Sequence, residues 1–80
     1  MKVLPSSVQI IAARVLLQME QRELAALAKV HVSTLVRLEG AGWRTAPGNA
    51  TTIARITDVL EGRGVEFVEH GVRLTKKPRR

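Results

Sequence analysis

The chain has 80 residues, no cysteine and a formal net charge of +6. That length supports one modest core, so a single small domain is expected, and without cysteine neither a disulfide framework nor a thiolate metal site can exist. The longest apolar run falls far short of the ~20 residues that cross a bilayer, and with no secretory apolar segment the expected location is the cytoplasm.

The positive charge is unevenly spread. Residues 73–80 carry Arg73, Lys76, Lys77, Arg79 and Arg80, which leaves eight basic against seven acidic residues over the first 72. Between Gln21 and Arg44 there are four basic and two acidic residues, whereas from Thr51 to Glu69 only Arg55 and Arg63 face Asp58, Glu61, Glu66 and Glu69. A modestly basic face opposite an acidic one suits a nucleic-acid partner on one side only.

In chain order, Met1–Pro5 reads as a loose arm. Ser6 or Ser7 then caps a first helix running to about Leu17, its side-chain oxygen satisfying an orphan backbone N–H. This helix is apolar on two sides. Ile10, Ala13 and Leu17 form one stripe, expected to pack on the helices that follow; Val8, Ile11, Ala12, Val15 and Leu16 form another, left for core packing, the C-terminal hairpin or a second subunit.

Gln21–Glu39 reads as two short helices joined by a tight turn. Leu24, Ala25, Leu27 and Ala28 recur at helical spacing in the first, Leu35 and Leu38 in the second, and Val30 lies in the connection. Ala25 keeps the crossing point small, as a steep crossing with a short turn requires. Ser33, Thr34 and Arg37 are left on the outer side of the second helix. This is the pattern of a helix-turn-helix, whose second helix, about 32–39, enters the DNA major groove.

The loop Gly40–Asn49 follows, with Gly40 and Gly42 expected to end the helix and turn the chain and Trp43 expected to cover an edge of the core. Asn49 or Thr51 caps a further helix ending near Gly62, with Ile53, Ile56, Val59 and Leu60 buried. Val65–Val68 and Val72–Thr75 then alternate apolar and polar residues about Glu69-His70-Gly71, the pattern of a β-hairpin. Strands this short must pack on helices or pair with another chain. The tail 76–80 is expected to be disordered and drawn to DNA phosphates.

The run Gln-x-x-Leu-Ala-x-x-Ala-x-Val, followed by Ser-Thr-Leu-x-x-Leu-Glu, resembles the helix-turn-helix family of the lambda and 434 phage repressors and Cro. Their bacterial relatives are often called xenobiotic-response-element-like regulators. The later segment GVEFVEHGVRL resembles the tail of small bacterial regulators of that family, so the likeness covers roughly residues 8–74. It implies a mainly α, four-helix lambda-repressor-like DNA-binding domain with a short C-terminal β-hairpin, spanning residues 1–75. By position it implies that Gln21 touches phosphate and sometimes a base edge, and that His31 caps the recognition helix and touches phosphate. Val32 and Ser33 match the residues that probe base edges, and Arg44 matches a loop over the DNA backbone. It also implies a structural ion pair between Arg14 and Glu39.

The chemistry of these side chains is consistent with those roles. Valine methyls pack against a thymine C5-methyl, and an outward Arg37 grips guanine O6 and N7 or else a phosphate. Lys29 departs from the family, standing where glycine is usual at a position that prefers positive φ, at a cost of roughly 1 kcal/mol.

The function expected is that of a homodimeric transcriptional regulator, in sign a repressor, on a two-fold double-stranded operator. Dimerisation is expected because one short helix reads too few base pairs. The alternative is an antitoxin-like interaction module that binds a toxin and autoregulates its promoter. No catalysis, metal or cofactor is expected: Asp58 is the only aspartate, His31 and His70 are far apart, and no nucleophile set or phosphate loop occurs.

Overall fold

Four helices followed by a two-stranded antiparallel hairpin make up the described residues, 4–44 and 46–75, of a computed structural model. The arm's residues 1–3 and the basic tail 76–80 lie outside them. Helix α1 spans Ser7–Leu16, α2 Gln21–Ala28, α3 Val32–Leu38 and α4 Ala50–Gly62; strands β1 and β2 are Val65–Val68 and Gly71–Leu74. No helix among the described residues is long and apolar enough to cross a membrane.

The start of α1 is set by a reciprocal cap at Ser6. Its Oγ accepts from the Gln9 N–H at 3.2 Å, and the Gln9 Oε1 accepts from the Ser6 N–H at 2.8 Å, which satisfies two donors at once. The ends of α1 and α2 share one turn. Gln18 (φ 55) and Lys29 (φ 60) adopt the left-handed region. The next residues close back: Met19 N–H donates to Arg14 O and Val30 N–H to Ala25 O, both at 3.0 Å. This closure favours glycine, and neither position has one, so the strain expected at Lys29 is present twice.

The core draws on every element but one. Ile10, Ala13 and Leu17, Leu24, Ala25 and Ala28, Leu35 and Leu38, Ile53, Ile56 and Leu60, and Val65 come together at 4% exposure or less, with β2 closing over them through half-buried Val72 and Leu74. Helix α2 packs on both α3 and α4, whereas α1 lies nearest β2 and α4. The first α1 stripe therefore enters a shared core rather than a private contact with the α2–α3 pair. The second divides: Val8, Ile11 and Ala12 are half-buried, while Val15 and Leu16 are exposed.

Three expectations need correction. Pro5 is not part of a loose arm, because it is buried and its carbonyl accepts from Ala46 N–H at 3.1 Å. Trp43 does not cover the core; it is 64% exposed, with its ring edge-on to His70 at 6.1 Å. The cause is the loop backbone. Ser7 N–H donates to Arg44 O at 3.2 Å and Val8 N–H to Gly42 O at 3.0 Å, so the loop supplies acceptors for orphan donors of α1. That pairing directs Ala46 inward instead. In α4, Thr57 rather than Val59 joins the buried set, its Oγ1 donating to Ala54 O at 3.1 Å.

Asn49 is the α4 cap, its Oδ1 accepting from Thr52 N–H at 2.8 Å. The hairpin pairs Val65 with Leu74 and Val68 with Gly71, which makes the turn the two residues Glu69 and His70, the latter at φ 59. The second strand thus starts one residue earlier than its alternation predicts.

Candidate nucleic-acid interface

Helix α3 is divided by its periodicity into two faces. At 3.6 residues per turn, Leu35 and Leu38 fall on one side and are buried at 0% and 1% exposure. Val32, Ser33, Val36 and Arg37 fall on the other and are exposed, with Thr34 half-buried at the boundary. No acidic residue lies within α3. Of the exposed cations, Arg22 on α2 shares a depression with Val32, and Lys29 stands in the connection that precedes α3.

The acid that follows α3 is held away from this face. Glu39 is 7% exposed and receives two bonds from one guanidinium: Arg14 Nε donates to Oε2 at 2.9 Å and Nη2 to Oε1 at 3.1 Å. Arg14 Nη1 also donates to Met19 O at 3.0 Å. Gln21 Nε2 donates to Glu39 Oε1 at 2.8 Å. The expected ion pair is therefore part of a larger clamp joining α1, the start of α2 and the end of α3. A planar guanidinium suits this task, because its fork matches a carboxylate in two bonds at once.

A second tie, which the sequence did not suggest, holds the same helix end. Ser7 is fully buried; its Oγ donates to Leu38 O and accepts from Ala41 N–H at 3.2 Å. One hydroxyl thus satisfies an orphan carbonyl of α3 and a donor of the following loop. A serine beside a helix cap looks like a cap candidate, and only the distant partners distinguish Ser7 from Ser6.

The remaining expected residues separate by position. Gln21 and Val32 line one shallow depression of about 380 Å³ together with Arg14, Glu20 and Arg22. Gln21 is half-buried and tethered, yet an amide nitrogen carries two donors, so one remains beyond the bond to Glu39. His31 stands at the N-cap of α3 with extended backbone but makes no side-chain cap bond, contrary to its expected capping role. Its carbonyl accepts from Thr34 and Leu35 N–H at 3.0 and 3.2 Å, so the backbone alone starts the helix. The exposed ring is left beside Val32 and Ser33. Arg44 is exposed in the loop and does not line the depression.

Val36 is the exposed α3 residue that the motif did not bring out. Its signal is in the helical wheel: at four residues from Val32 it lies about 40° away, outside the Leu35–Leu38 stripe. Elsewhere, a larger cleft of about 610 Å³ lies between the arm, α4 and the hairpin turn, lined in part by Leu4, Phe67 and Glu69. It shares no residue with the α3 surface. No three His, Asp or Glu side chains converge among the described residues. Comparison with known proteins finds no matching family model, curated protein or solved structure.

Proposed function

We propose that this chain binds double-stranded DNA in a sequence-specific manner, as a homodimeric transcriptional regulator of the lambda-repressor-like helix-turn-helix kind. In this reading α3 lies in the major groove and its outer residues meet base edges. The observation that carries it is the division of α3: an exposed face of Val32, Ser33 and Arg37, free of acids, backed by Leu35 and Leu38. Glu39, the acid at the end of the helix, is buried against Arg14, and exposed Glu20 shares the depression beside Val32 with Arg22 and Gln21. Carboxylates beside a surface that meets phosphates weaken binding, and here the one at the end of α3 is compensated from behind.

The roles divide by reach. Ser33 and Val32 are short and read by proximity, while Arg37, one turn on, has the length and the fork for guanine O6 and N7. Arg22, Lys29, Gln21 and Arg44 fix the protein on the backbone and carry no sequence information themselves. A seven-residue helix covers only a few base pairs, which is why two copies on a two-fold site are part of the proposal.

Selection of bound duplexes from a random pool at near-physiological salt tests this. The expected product is a two-fold motif with half-sites about one helical turn apart. A pool that yields no motif, with binding lost as salt rises, leaves only non-specific attraction. It would move the chain to the competing reading, a module for a protein partner such as a toxin.

A further inference from the structure

On the DNA-binding reading, on which this rests, we infer that Val32 and Val36 together read pyrimidine 5-methyl groups. The half-site therefore contains two thymines within about two base steps, beside the base that Arg37 contacts. Both valines are exposed, at 43% and 50%, on a short helix whose other apolar residues, Leu35 and Leu38, are buried. Their spacing of four residues puts them one turn apart on one edge of the outer face, with Cβ atoms about 6 Å apart. Successive bases along a strand rise about 3.4 Å, so the two side chains span about two steps.

Each valine presents two methyls and no hydrogen-bonding atom, and the thymine C5-methyl is the apolar feature of the major-groove edge that such a group recognises. Nothing local calls for these residues. β-Branched side chains rank below alanine and the straight-chain residues as helix formers, and here both lie outside the core cluster with about half their surface exposed. The exposed surroundings carry more positive than negative charge: Arg22 shares the depression beside Val32 with Glu20, Arg37 follows Val36, and Lys29 precedes the helix. Charge brings the duplex to the face; the valine pair then selects among sequences.

Deoxyuridine tests this, since it keeps every hydrogen-bonding group of thymidine and lacks only the methyl. With the selected duplex, replacing one contacted thymidine should weaken binding about fourfold, and replacing two about fifteenfold, the worth of one and two buried methyl-sized groups. Val36→Ala, at an exposed position and to a better helix former, should keep the wild-type circular-dichroism spectrum and should bind the unmodified duplex about fourfold more weakly. It should also become indifferent to deoxyuridine at one of the two positions. A motif that is bound equally with and without the methyls overturns this inference and leaves the DNA reading intact. The absence of any motif overturns the DNA reading, and this inference with it.

Discussion

Two arginine–glutamate pairs in this small domain have the same chemistry and different consequences. Arg14 and Glu39 are 25 residues apart in sequence, their side chains 15% and 5% exposed, and they join α1 to the end of α3. Arg73 and Glu66 face each other across the hairpin at 68% and 45% exposure. Water screens the second pair, and holding two long side chains in one geometry offsets much of its attraction. The first pair has lost that screening and is committed to its geometry. Burial and reach, rather than the presence of a salt bridge, decide which pair the fold depends on.

The comparison can be broken from either side. Glu39→Ala leaves the Arg14 guanidinium largely buried without its carboxylate and should cost about 3 kcal/mol in urea unfolding at constant slope. Arg14→Met combined with Glu39→Leu should lose less than the single change, because a buried pair replaced as a unit removes its own desolvation cost. A double variant as unstable as Glu39→Ala would mean that the pair is a net stabiliser rather than a device that fixes the angle of α3. Ser7→Ala, at the second tie to the same helix end, should cost about 1–2 kcal/mol, since Leu38 O and Ala41 N–H lose a buried partner. Lys29→Gly should raise stability by about 1 kcal/mol by relieving the left-handed backbone; a decrease would show that the lysine chain contributes to packing. Glu66→Gln is expected to change stability by less than about 0.5 kcal/mol. A loss there comparable with that of Glu39→Ala would erase the contrast.

What could be read from the sequence followed local rules. The apolar spacing of Leu24, Ala25 and Ala28 and of Leu35 and Leu38 located α2 and α3, and Asn49 marked the start of α4. Helical periodicity and capping act within a few residues, so both leave a trace in the chain. The Arg14–Glu39 pair was expected only from family resemblance, because no spacing rule connects residues 25 positions apart. Ser7 and Trp43 show the limit more sharply. The tie from Ser7 to Leu38 exists only once α1 and α3 have met. Trp43 has the composition of a core residue, yet backbone bonds between its loop and α1 place it outside. His31 had the position of a cap, and its ring did not adopt the role. For Val36 the helical wheel holds the information, but the motif marks only Val32, Ser33 and Arg37 on the outer face.

Arg37 is the residue at which the proposed reading of base sequence by the outer face of α3 is tested most directly. The decisive measurement is the affinity of the wild type and Arg37→Ala for the selected duplex and for its single-base variants, at one fixed salt concentration. Both proteins should have equal unfolding midpoints, since Arg37 is exposed and takes no part in the clamp. The expected result is a loss of ~1–3 kcal/mol on the preferred duplex, with discrimination abolished at one position of each half-site. Equal weakening on every sequence would make Arg37 a phosphate contact, and unchanged binding would remove Arg37 from the interface and contradict its role as a base reader.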